Sequence, residues 1–217
     1  MEEINSLNRR VLLLKILRYK WNYLLLRVFN HRTMIKGHLS VKGIRISDKG
    51  RNNRILAGKH VVLENCKFFF QGENHVVLLG DGIRISGVTF AFEKEGSCID
   101  LRQGAWIGSG CCLSAMAHTR ITIGVCTLLA KDCVVRTSDS HVVMDENGRV
   151  INAPQDIMIG NHAWLGEQVF VLKGAQIADN CIVGARAVVT ASTQTEPSSI
   201  IVGQPAKIIR KNVSWKL

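Results

Sequence analysis

Every sixth residue from Ile159 is aliphatic: Ile159, Leu165, Val171, Ile177, Val183 and Val189 stand in unbroken register. Four residues after each of the first five come Ala163, Val169, Ala175, Cys181 and Ala187, all small, and Gly160, Gly166 and Gly184 follow three of the aliphatic positions. This period is neither helical nor that of a simple alternating strand. It fits a solenoid in which each hexapeptide supplies one short strand and a turn, and three units close a triangular coil. The aliphatic residue then fills the interior, the small one sits near a corner, and Gly allows close approach of backbones. Ile123, Leu129 and Val135 repeat the rule earlier in the chain, with Thr127 and Cys133 in the small slots. Ile107-Gly108 and Leu113-Ser114 form a further fragment, out of phase with Ile123 by a short insertion.

Upstream the pattern changes. Short β-rich bursts at 61–63, 68–70, 76–79, 83–86 and 88–92 are punctuated by Gly, Asn and Asp and would suit a sandwich as well as a solenoid. Before Gly37 the signal is helical. Leu7, Val11, Leu14, Trp21, Leu25 and Val28 recur at three- and four-residue steps, so residues 4 to 30 read as an amphipathic helix within an N-terminal basic segment, 1–36. The coils are expected over 37–202 and a C-terminal tail over 203–217.

Charge is distributed as unevenly as the repeat. The chain of 217 residues carries +11, and the first 67 residues, with fifteen basic and four acidic side chains, account for all of it. The helix could pack within an oligomer or rest on an anionic membrane face, which would make the protein cytoplasmic or peripheral at the inner face of a bacterial inner membrane. No apolar run approaches the roughly 20 residues that cross a bilayer. Seven cysteines without framework spacing fit a reduced compartment, with Cys133 and Cys181 structural. Basic residues without an aromatic platform argue against nucleic acid as a partner.

The repeat is interrupted between Val135 and Ile159 by a polar excursion, 137–156, where a rigid coil can display a reactive group. His141 lies at its start, and acyl transfer to a hydroxyl needs a base that titrates near neutrality. Asp139, two residues earlier, would share its side in an extended segment and could orient the imidazole. Cys111 and Cys112, outside clear core slots, are the candidates for a rival cysteine route.

Three stretches, Ile157-Met-Ile-Gly-Asn-His-Ala-Trp164-Leu-Gly-Glu167, Val183-Gly-Ala-Arg-Ala-Val-Val-Thr190 and Val202-Gly-Gln-Pro-Ala-Lys-Ile-Ile-Arg210, resemble in order the acetyl-CoA signature of the hexapeptide-repeat acyltransferases. With the Thr-Ser-Asp-Ser-His141 segment and the ending Asn212-Val-Ser-Trp215, the chain looks most like bacterial capsule and polysialic acid O-acetyltransferases. The resemblance implies a left-handed parallel β-helix with an N-terminal α-helix, an external catalytic loop and a short C-terminal segment. It implies acetyl-CoA as donor, an anionic polysaccharide as acceptor, no metal, and a homotrimer with active sites between subunits.

It also implies roles. His141 would be the general base, and Trp164 would line the acetyl-CoA channel from a turn site. Backbone amides near Gly166 and Glu167 would hold the oxyanion, while Gly184, Ala185 and Thr190 would contact the cofactor. Lys207 and Arg210 would meet its phosphates. Ala191 and Arg186 stand where relatives often carry Lys and Gly, so phosphate contacts could be redistributed to Lys173 or Arg186. A zinc enzyme on the same fold would need histidines close in sequence, and His118, His141 and His162 are not.

Overall fold

The computed structural model describes residues 33–216. They form a parallel β-solenoid with three faces, carrying seven, nine and seven strands. The chain visits the faces in turn. Ile157–Ile159 lies on the first face, Trp164–Leu165 on the second and Phe170–Leu172 on the third, and Gln176–Ile177 returns to the first, one coil on. This is consistent with the left-handed β-helix that the resemblance implies. Ile159, Leu165, Val171, Ile177, Val183 and Val189 all point inward and are buried, as are the small residues between them. The helical reading of residues 4 to 30 lies outside the described residues. The expected end of that segment at residue 36 is too late: Thr33–Lys36 is already a strand, with Thr33 and Ile35 buried and paired to Asn53–Ala57. Alternation of inward and outward side chains takes over there.

The coils come in two sizes. Ile159 pairs with Ile177, eighteen residues on, and Val183 follows Leu165 by the same step. Ile55, Val77, Ile99 and Ile121 are successive partners at steps of twenty-two. The four additional residues lie at the third corner, between the third face and the next first face. There they add Phe70, Phe92 and Ala115 to the interior on one side, and Asn53, His75, Ser97 and Thr119 on the other. Aromatic rings fill the wider section: Phe68 stacks on Phe90 at 4.7 Å and Phe70 on Phe92 at 5.0 Å. Each such burial is worth about 1.5–3 kcal/mol.

Beside the rings runs a buried polar ladder. Asn53 Oδ1 accepts the His75 amide at 2.9 Å, and His75 Nδ1 accepts the Ser97 amide at 3.2 Å. Burial pushes the His75 imidazole below its ordinary pKa, so it is neutral. The corners themselves need left-handed backbone. At the first corner His60, Gly82, Gly104, Cys126, His162 and Asn180 have φ between 51° and 71°. Gly, Asn and His tolerate that region best, which is why they punctuate the chain.

Cys111 is not outside the core, as the six-residue template suggested. It is buried in the inward column that also holds Cys66 and Cys133, and its thiol donates to the Ala130 carbonyl at 3.0 Å. The wider coil shifted its register relative to the template.

Candidate active site

The polar excursion 137–156 leaves the solenoid at the third corner, where wide coils give way to narrow ones. Its stem is fixed to the last wide coil. Thr137 is buried, its hydroxyl 2.6 Å from that of Thr119 and accepting the Met116 amide at 3.1 Å. At the other stem the Asp156 carboxylate accepts the Arg120 amide at 2.8 Å, and Gln155 N–H donates to the Thr137 carbonyl at 3.0 Å. Asn152 ties the middle together. Its amide donates to the His141 carbonyl at 2.8 Å and to Asp139 Oδ2 at 2.9 Å, and its oxygen accepts the Val143 amide at 2.7 Å.

His141 is therefore held by its backbone and presented to solvent by an anchored loop. Among the described residues none hydrogen-bonds its ring. Asp139 does not orient it: Ser140 has φ 65°, which breaks the alternation assumed for an extended segment. The Asp139 carboxylate instead pairs with Lys173. Lys173, with Asn152 second, holds that carboxyl below the usual carboxylate range. The same pair removes Lys173 from phosphate binding, because its ammonium is spent on Asp139 and on the Asn152 carbonyl at 3.0 Å. Beyond His141 the loop folds back on itself around Asp145, with Val142, Val143, Met144, Val150 and Ile151 all exposed.

The residues expected to meet the donor gather elsewhere, on the second face and the corner after it. Trp164 stands outward in a strand rather than in a turn, 39% exposed, in an outer column with Leu128, Ile182 and Ile200. Gly166 and Gly184 serve the stacking of coils: a Cβ at Gly166 would come within 2.7 Å of the Ala185 nitrogen, and one at Gly184 within 2.7 Å of Val202 Cγ1. The Gly166 amide donates to Val183 at 2.8 Å, so it cannot stabilise an oxyanion. Among the described residues the neighbouring Glu167 and Ala185 amides have no partner and remain able to donate. Arg186 occupies a left-handed corner, φ 58°, a conformation that favours Gly. Its guanidinium donates to Gln168 at 2.9 Å, and its carbonyl accepts from Gln204 at 2.6 Å.

The C-terminal strand Ala206–Lys211 turns back antiparallel on Ser199–Gly203. Lys207 lines a groove of about 550 Å³ with Ser192, Thr193, Pro205 and Lys211. Thr190 borders that region, its hydroxyl 3.0 Å from Ser192. Arg210 lies apart, exposed and across from Ile200 on the second face.

Residues 156–191 match the family model described as bacterial transferase hexapeptide, six repeats. The chain carries the bacterial transferase hexapeptide repeat. A polysialic acid O-acetyltransferase of Escherichia coli O1:K1 / APEC is 31% identical over 96 residues, 44% of this chain and 31% of the relative. A chloramphenicol acetyltransferase of Agrobacterium fabrum (strain C58 / ATCC 33970) is 41% identical over 56 residues, 26% of each chain. The matches thus span less than a third of either relative. The solved structure of the polySia-specific acetyltransferase NeuO superposes with a TM-score of 0.72 over 85% of this chain and 83% of its own, at 22% identity, a likeness of fold.

Around the hexapeptide repeat the expected site residues thus form two groups in one chain. His141, Asp139, Lys173 and Thr190 lie at the third corner, and Trp164, Gly166, Glu167, Gly184, Ala185 and Arg186 lie on the second face and second corner, with the third face between them. Two residues escaped the sequence reading. Asn152 holds the His141 backbone, for which the sequence offers no signal beyond a polar residue in the excursion. Trp215 is buried at the first corner, stacked on His162 at 4.3 Å, donating to its carbonyl at 2.8 Å and tilted against Trp164 at 5.9 Å. Its place in the terminal motif was the available clue.

Proposed function

We propose that the protein is an acetyl-CoA-dependent O-acetyltransferase that acetylates a sugar hydroxyl of a bacterial capsular polysaccharide, a sialic acid polymer foremost. The observation that carries the reading is His141 itself, an exposed imidazole on an anchored loop, its ring free of hydrogen bonds among the described residues, beside a hexapeptide repeat with an outward Trp164. His141 removes the proton of an acceptor hydroxyl, and the oxygen attacks the thioester carbonyl carbon of acetyl-CoA. The tetrahedral oxyanion takes hydrogen bonds from the Glu167 and Ala185 amides. It collapses with rupture of the C–S bond, and the imidazolium returns its proton to the departing thiolate. The products are the acetyl ester and CoA.

The outer column of Trp164, Leu128 and Ile182 gives the pantetheine arm an apolar bed, and Lys207 and Arg210 supply cations for its phosphates. Because His141 leaves the third corner and Trp164 stands on the second face of one chain, a second copy completes each site, a reading that favours a homotrimer with sites between subunits. The exposed apolar loop tip, 142–151, supports the same assembly. The basic N-terminal segment is assigned to an anionic neighbour, a membrane face or the polymer, and the protein to the cytoplasmic side of the membrane. The chloramphenicol relative matches 26% of the chain and the polysialic acid relative 44%, and the longer match favours a sialic acid polymer as acceptor. A thiol-release assay with acetyl-CoA against capsular polymers, their monomers and chloramphenicol tests the reading. Turnover with a sialic acid polymer is expected, and turnover with chloramphenicol alone would overturn the acceptor.

A further inference from the structure

The second face of the wide coils carries a feature the reaction does not use. Trp106 stands outward there, 46% exposed, in the same outer column as Trp164, with Leu128 between them. Two strand spacings separate the indoles, about 10 Å. Arg84 lies directly across from Trp106 on the preceding strand, and Val62 beyond it. With Glu64, Ser109 and Lys131 these residues line a groove of about 430 Å³. An indole on a solvated face forgoes burial of a large apolar surface, and here it stands between Arg84 on one strand and Leu128 on the other, with Lys131 lining the same groove. A self-association face would be more uniformly apolar. A single-strand binder would offer successive aromatic platforms and no carboxylate in the groove.

We propose that this groove is a subsite for a carboxylated sugar of the acceptor polymer, away from the residue being acetylated: the Trp106 indole packs on the apolar face of the ring, while Arg84 and Lys131 pair with its carboxylate. The chemistry fits each part. A planar guanidinium recognises a carboxylate in two hydrogen bonds, and Lys131 adds a point charge. Ser109 can accept from or donate to a ring hydroxyl. The subsite rests on the acetyltransferase reading for its polymer. It assigns acceptor choice to the wide coils, while the narrow coils hold the donor.

The test uses the full chain and the variants Trp106→Ala and Arg84→Gln. Its probes are a sialic acid polymer, free sialic acid and the same polymer with its carboxylates converted to neutral amides. Polymer binding at equilibrium is expected to weaken about tenfold in each variant, the loss of one charge-assisted or stacking contact. KM for the polymer should rise by the same factor, with kcat and the KM values for acetyl-CoA and free sialic acid unchanged. The amidated polymer should bind the natural protein at least as weakly as the intact polymer binds Arg84→Gln, and replacing Arg84 should weaken the amidated polymer little further. Unchanged polymer affinity in both variants overturns the proposal. So does a changed oligomeric state in Trp106→Ala, which would make the face an interface between copies. So does a single-stranded oligonucleotide that competes equally well and depends equally on Trp106. Absence of thiol release with every saccharide would overturn the acetyltransferase reading instead, and binding, measured without turnover, decides the subsite by itself.

Discussion

The wide coils built on Ile55, Val77, Ile99 and Ile121 and the narrow coils that follow Ile157 close the same triangular section with different materials. The narrow ones use one aliphatic and one small residue per side. The wide ones add four residues at one corner and fill the gained space with stacked Phe rings and a buried polar ladder. A solenoid therefore need not keep one period to keep one register: Ile121 still pairs with Ile157 across the change. The change of section also makes a place for chemistry. The loop that carries His141 leaves from the corner at which the surplus residues stop, and Thr119, next after Ser97 in its inward column, holds the stem through Thr137.

The largest effect should come from the junction. Replacing His141 with Ala is expected to lower turnover about a thousandfold or more while CoA binding, measured by calorimetry, persists. Retained turnover would separate the junction from catalysis. The next contrast is between the two cores. Phe90→Ala should cost about 3–5 kcal/mol in chemical denaturation, because it opens a cavity in the ring stack, and Val171→Ala in a narrow coil roughly half as much. Equal costs would break the distinction between the sections.

Thr137→Val removes a buried hydroxyl from the junction, but the Met116 amide keeps Thr119 Oγ1 at 3.3 Å and the Thr119 hydroxyl keeps the Met116 carbonyl at 2.7 Å, so the cost should be about 1 kcal/mol. Hydrogen exchange should show the loop loosening with the solenoid intact. The ladder also predicts a pH dependence confined to the wide coils. Burial lowers the His75 pKa in the folded state, so below about pH 6.5 the unfolded chain binds more protons and stability falls with pH. Above that value the group contributes no slope. One histidine gives at most roughly 1.4 kcal/mol per pH unit, and His75→Phe should flatten the profile. The smallest effect is expected for Lys173→Met, which frees the Asp139 carboxylate at the loop surface. A modest loss of kcat at neutral pH, measured by thiol release, is expected.

The narrow coils were legible in the sequence because an interior of Ile, Leu and Val repeats without exception from Ile159 to Val189. The wide ones were not. Their period exceeds six, and Asn53, His75 and Ser97 occupy inward positions that a hydrophobic template reads as surface. The same offset put Cys111 outside the core on paper and inside it in the fold. His141 was legible as the histidine of an interruption, which depends on chain order alone. The pairing with Asp139 depended on backbone direction, and a single left-handed residue, Ser140, reversed it. Gly166 was taken for a donor when its missing side chain and its occupied amide both serve the coil beneath it.

A stack of parallel coils has no natural length, since each end offers a strand edge that another copy could extend. Here the Ala206–Lys211 strand closes one end by running backward, with a bulge at Ile200 and Ile201 and with Lys207, Arg210 and Lys211 along it. A neighbour arriving in the parallel sense would meet reversed polarity and three cations at once. The hairpin thus works as a terminator, and deleting it should turn a discrete particle into one prone to grow end to end into fibrils.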